Sequence, residues 1–284
     1  MALAITLGVM VVEIVGGVLA DSLALVADAA HMATDALGLG MALVAIHVAN
    51  RPPSERRTFG LARAEILAAL ANCLLLLGVG GYVLYEAIDR FVTPAETAGG
   101  LTVVFGAIGL VANMVSLSLL MRGQKESLNV RGAFLEVAAD ALGSVAVILS
   151  ALVILATGWT AADPIASLVI ALMIVPRTWK LLRETLDVLL EAAPKGVDMG
   201  KVRAHILATD GVEDVHDLHA WTITSGMPVL SAHVVVSSEV LNAIGHEKML
   251  HELQNCLGAH FDVEHCTFQL EPGGHAAHEA RLCH

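Results

Sequence analysis

Six apolar runs, each near or above the roughly 20 residues needed to cross a bilayer core, organise the first two thirds of the chain. They fall near 1–20, 22–49, 63–91, 100–121, 131–156 and 164–184. After Pro194 the long runs stop and shorter periods take over. Val197 to Thr209 reads as a helix, Val215 to Thr224 and Val229 to Ser237 as two strands joined around Ser225-Gly226. Val240 to Leu257 reads as a second helix and Val263 to Leu270 as a third strand. The order α-β-β-α-β predicts a small ferredoxin-like α+β unit. Gly273-Gly274 opens a polar tail for which disorder is expected. The chain therefore divides into an all-α six-helix transmembrane bundle (1–190), an α+β domain (195–272) and a His/Cys tail (273–284).

The connections between the apolar runs set an orientation. Arg51, Arg56, Arg57 and Arg63 lie between runs two and three, Arg122, Lys125 and Arg131 between four and five, and Arg177, Lys180 and Arg183 flank the sixth. The alternate connections hold no Lys or Arg. Positive-inside reasoning then predicts an inner or plasma-membrane protein with both termini in the cytoplasm. Composition agrees: of 284 residues 56% are hydrophobic and 15% charged, where a soluble domain is nearer a quarter charged. The first run carries Glu13 and Gly16-Gly17 and has no cationic leader or small-residue cleavage site, so a retained span is expected and not a signal peptide. Cys73, Cys256, Cys266 and Cys283 show no paired spacing, which argues against structural disulfides.

Charge is unevenly spread. Residues 185–284 hold 14 acidic and 5 basic side chains, −9 of the chain's net −12, and 11 of its 13 histidines. Such a segment repels nucleic acid and attracts cations.

The candidate chemistry lies in the apolar runs. His31 and Asp35 in the second, and Glu136 and Asp140 in the fifth, are each four residues apart and so share one helical face. An ionisable side chain at a membrane helix centre costs roughly 2.5–3.5 kcal/mol on insertion scales, so four of them are expected to meet each other, water or a cation. Ala27, Ala29, Ala30, Ala33, Ala36 and Gly38, with Ala138, Ala139, Gly143 and Ser144, permit close helix approach. One imidazole nitrogen and three carboxylates suit Zn²⁺, with Co²⁺, Cd²⁺ or Mn²⁺ as alternatives. Three ionised carboxylates leave an empty site strongly negative, so protons compete with metal for the same atoms. Asp28 is expected to support His31 and not to ligate, and Glu13, Asn72 and Asn113 read as packing groups. His47 reads as interfacial.

The sequence resembles the cation diffusion facilitator family of divalent-metal/proton antiporters, of the zinc/cadmium/cobalt exporter type. The residues that carry this are Ser22-Leu23-Ala24-Leu25 leading to Asp28-Ala29-Ala30-His31-Met32-Ala33-Thr34-Asp35, and Arg57-Thr58-Phe59-Gly60 with Arg63-Ala64-Glu65. Leu128-Asn129-Val130-Arg131, Asp163-Pro164 and His216-Asp217-Leu218-His219-Ala220-Trp221 complete the match. The resemblance implies a homodimer that moves Zn²⁺ or a similar cation out of the cytoplasm against inward protons, with His31, Asp35, Glu136 and Asp140 as its transport site. Zinc-type members commonly carry His where this chain has Glu136, and the extra carboxylate shifts the expected preference toward Co²⁺ or Mn²⁺. Some relatives also have histidines in the loop between spans two and three. Here Pro52 to Leu61 has none, so no second metal site is expected there, and Glu55 is a candidate partner for Arg63.

In the last third, His216, His219, His233, His246, His265 and Glu271 are candidate ligands on strands and one helix, with Cys266, Cys283 and His284 as softer additions. The resemblance implies a dimerising domain that binds regulatory metal, with His216, His233 and Glu271 nearest the family pattern and Gln269 where some relatives have a ligand histidine. Trp221 reads as a core or interface residue. The expectation is a secondary active exporter working by alternating access, with no enzymatic activity and no organic cofactor. A passive channel would want a continuous polar pore lining, and here polarity is confined to one layer. An intramembrane metalloprotease would want a His-Glu-x-x-His helix, which is absent. A membrane-anchored metal sensor would bind metal without moving it.

Overall fold

The structure is a computed structural model that describes residues 2–121, 128–261 and 265–275. Six long helices come first: α1 (Ala2–Ala20), α2 (Leu23–Ala49), α3 (Ala64–Val92), α4 (Gly99–Leu120), α5 (Leu128–Thr157) and α6 (Ala162–Leu189). Five of them, α2 to α6, are long and apolar enough to cross a membrane, and α1 adds a shorter apolar stretch over Ile5–Ala20. Then come α7 (Met199–Leu207), β1 (Val212–Thr222), β2 (Pro228–Val236), α8 (Ser238–Ile244), α9 (His246–His260) and β3 (His265–Pro272). Two compact units result. One comprises residues 1–45 and 68–182, the other 46–67 and 183–284.

In the helical unit, α4 packs against both α1 and α5. Buried residues of α2, α3, α5 and α6, among them Leu25, Val83, Val147 and Ile170, form a common core. One end is pinned by Asp163. Its carboxylate, fully buried, accepts hydrogen bonds from Ser22 Oγ at 2.6 Å and from the Leu23 and Ala24 backbone N–H groups at 2.7 and 3.4 Å. The first turn of α2 is thus capped from α6, since its leading N–H groups have no partner within their own helix. At the same end Arg90 holds the Asp21 carbonyl and carboxylate, both at 2.8 Å.

The second unit carries a three-stranded sheet in the order β1-β2-β3. The β1/β2 pair is antiparallel, and β2/β3 is parallel through the α8–α9 crossover. One sheet face, with Val215, Leu230, Ala232, Val234 and Val236, packs on Val202 and Ile206 of α7 and Met249, Leu253 and Leu257 of α9. Asp198 caps α7 by accepting from the Gly200 and Lys201 N–H groups. The single helix expected over Val240–Leu257 is instead two, because Gly245 between them has φ +82, outside the helical region and favoured only by glycine. The loop before α3 is also ordered. Arg63 pairs with Glu191 at 2.9 Å and not with Glu55, a partner 128 residues away that no local pattern announces.

Candidate metal sites

The spacing on α2 places His31 Nε2 3.4 Å from Asp35 Oδ2. Glu136 joins them from α5, and one ligand atom from each of the three lies within 4.8 Å of the others. Asp140, the fourth expected ligand, is outside this group. Its side chain is buried, and its Oδ1 has no hydrogen-bond partner among the described residues.

Two cavities meet at the cluster. One, of about 200 Å³, is lined by Asp28, His31, Asp35, Asn72, Glu136 and Arg177. The other, of about 490 Å³, is lined by Asp35, Glu136, Asp140 and Arg177, and by Thr6, Ala42 and Leu120. Those last residues lie near the start of α1 and the ends of α2 and α4. The larger cavity therefore extends toward the end of the bundle opposite the Asp163–Ser22 pin.

Arg177 is the residue that sequence reasoning missed. Its position reads from the sequence only as part of the basic flank of span six, yet its guanidinium meets Glu136 in a two-pronged pair, Nη1 to Oε1 at 3.1 Å and Nη2 to Oε2 at 2.7 Å. The signal was present, since Arg177 falls inside the expected span 164–184 and a charge inside a span marks function by default. A deeper polar layer adjoins the cluster. Glu13 and Asp28 are almost fully buried, with both Glu13 oxygens and Asp28 Oδ2 unpartnered among the described residues. Gly109 and Gly143 make room for these two carboxylates, because a Cβ at either position would overlap them.

In the second unit the sheet register assembles His216, His233 and Glu271. His216 pairs laterally with His233, and His233 with Gln269, so the three strands bring these side chains to the face away from the helices. Glu271, one same-face step beyond Gln269, is buried at its centre. His216 Nε2 lies 3.1 Å from Glu271 Oε2, and His233 Nδ1 2.8 Å from Oε1. Gln269 Nε2 donates to Oε1 at 2.8 Å. Burial pushes the Glu271 carboxyl up, but hydrogen bonds from Gln269 and His216 and the charge of both histidines outweigh it and hold the group below its ordinary value.

The other expected ligands stand apart. His219 lies exposed on the same sheet face, kept there by a one-residue bulge between His216 and His219, and lines a separate cavity with Arg56 and Trp221. His246 is exposed at the start of α9. His265 meets the edge of the Phe59 ring, centroids 6.0 Å apart. Cys266 faces the helix-covered core, where burial pushes its thiol up. Cys283, His284 and the tail expected to be disordered lie outside the described residues, apart from residues 273–275.

Two family models match the chain. The cation efflux transmembrane domain covers residues 1–190, and the cytoplasmic domain of cation efflux proteins covers 194–273. The chain belongs to the cation diffusion facilitator family. Among its relatives, the metal cation efflux system protein CzcD of Cupriavidus metallidurans is 47% identical over 270 residues, 95% of this chain and 84% of the relative. The zinc transporter ZitB of Escherichia coli is 41% identical over 272 residues, 95% and 85%. The cadmium, cobalt and zinc/H(+)-K(+) antiporter of Bacillus subtilis is 38% identical over 278 residues, 97% and 89%. A solved structure of the metal-bound C-terminal domain of the CzcD transporter, also from Cupriavidus metallidurans, is 43% identical, covers 26% of this chain and 99% of its own, and has a TM-score of 0.24. As a cation diffusion facilitator the protein is a membrane transporter that exports divalent metal cations, and it is not an enzyme. Its second domain is of the type that dimerises such proteins.

Proposed function

We propose that this cation diffusion facilitator exchanges a cytoplasmic divalent cation, Zn²⁺ first and Cd²⁺, Co²⁺ or Mn²⁺ after it, for external protons by alternating access. The observation that carries the reading is the convergence of His31, Asp35 and Glu136 inside an apolar bundle. One imidazole and carboxylate oxygens form a donor set for a borderline divalent ion. The same atoms take protons when the metal leaves. The basic connections support an orientation with both termini in the cytoplasm. On that orientation the larger cavity extends inward and the Asp163–Ser22 pin closes the outward end. This supports an inward-open arrangement in which metal enters beside Asp35 and Glu136. Asp140 completes the ligand set when the bundle rearranges toward the outward-open form.

The second domain brings two copies together and binds a regulatory metal through His216, His233 and Glu271. Two imidazoles on a buried, ionised carboxylate suit Zn²⁺. Reconstitution into proteoliposomes tests the transport reading. Zn²⁺ uptake should follow an imposed pH gradient, and Asp35→Ala or Asp140→Ala should reduce it to the rate of empty vesicles. Uptake indifferent to the gradient would make the protein a channel, and binding with no uptake would make it a sensor.

A further inference from the structure

We infer that Arg177 is a tethered competitor of the transported cation, a counter-ion that holds Glu136 in the empty carrier and must let go before metal can bind there. This rests on the reading that Glu136 belongs to the transport site.

Three observations carry it. Arg177 engages both oxygens of one carboxylate, the strongest and most directional form of the pair. The pair also borders both cavities. Asp35, Glu136 and Arg177 are the residues common to the two cavities, whereas His31 lines only one and Asp140 only the other. While the guanidinium sits on Glu136, the imidazole and the fourth carboxylate face different chambers. Finally, the Arg177 side chain is 68% exposed, and the contact that holds it is the Glu136 carboxylate itself. Pro176 immediately before it has no N–H, so the Leu172 carbonyl lacks its helical donor and the backbone there is less restrained.

The charge count gives the device its use. Three ionised carboxylates with one arginine carry −2, so the empty cluster is partly compensated without any bound ion. An arriving divalent cation meets a positive charge already on its ligand. Binding requires the guanidinium to swing away, and its return helps to expel the ion. Affinity is thereby sacrificed for turnover.

Removing the competitor should tighten binding and slow release. Arg177→Gln in proteoliposomes is expected to lower KM for Zn²⁺ by about three- to tenfold and to lower kcat. Arg177→Lys, which keeps the charge but loses the two-pronged contact, should fall between it and the wild type. An unchanged or raised KM in Arg177→Gln would overturn the proposal and leave the arginine a brace between α5 and α6. A second measurement uses the unaltered full chain and does not depend on how the variant folds. Phenylglyoxal labelling of Arg177, read by peptide mass spectrometry, should rise on adding saturating Zn²⁺ because the guanidinium is released. Labelling that stays constant or falls would also overturn it. Failure of the underlying transport reading is separate, since the wild type would then take up no Zn²⁺ under a pH gradient.

Discussion

At the residue scale, Glu136 and Glu271 show how one side-chain type is set to different tasks by its neighbours. Glu136 is shared between the His31–Asp35 cluster and Arg177, and on the proposed reading its oxygens harden the cation site. Glu136→His should shift preference toward Zn²⁺ over Co²⁺ and Mn²⁺, because imidazole suits zinc better than hard divalent ions. A flux panel across these ions checks this, and a profile identical to wild type would contradict it. Glu271 is held below its ordinary value of 4.5 by Gln269 and the two histidines. A carboxyl lowered in the folded state stabilises fully above its unfolded value and loses that contribution as pH falls through the folded one. Glu271→Gln should therefore destabilise the protein near neutral pH, and the difference from wild type should shrink below about pH 4.5. Thermal unfolding across pH reads this out, and a difference independent of pH would refute it.

Elements decide which of these residues meet. The i, i+4 spacings on α2 and α5 made His31, Asp35 and Glu136 legible in the sequence, because helix geometry alone fixes a shared face. Asp140 obeys the same spacing yet stays outside the group, since which turn of α5 faces His31 depends on how α5 sits against α2. The Asp163 cap belongs to this scale. Asp163-Pro164 is visible as the start of a span, but its grip on Ser22 and Leu23 joins residues 141 and 140 apart. Asp163→Ala should cost about 1–3 kcal/mol, because it strands buried donors at the start of α2. Unfolding in detergent tests this, and an unchanged midpoint would mean the cap is dispensable. Gly245 was the break that hydrophobic periodicity concealed. Apolar positions continue on either side of it, and its extended backbone at φ +82 and ψ 158 separates α8 from α9. Gly245→Ala should lower stability by roughly 1–3 kcal/mol, measurable by the same unfolding experiment.

Across the whole molecule, the long apolar runs and the alternating segments after Pro194 were enough to read six helices followed by a small α+β domain. What the sequence withheld depends on lateral register and distant pairing. His216, His233 and Glu271 come together through strand alignment, whereas His219, His246 and His265, equally plausible by composition, go elsewhere. Arg63 finds Glu191 and Arg177 finds Glu136 only once the chain is folded. On the proposed reading the bundle, and not the histidine-rich second domain alone, holds the cation through His31 and its carboxylates. X-ray absorption at the zinc edge, on the whole chain with His216→Ala and His233→Ala to silence the other cluster, separates the two domains. About one retained Zn²⁺ per chain is expected, bound by one imidazole nitrogen and otherwise oxygen, and lost on adding Asp35→Ala. A shell rich in histidine or sulfur, or zinc retained after Asp35→Ala, would contradict it.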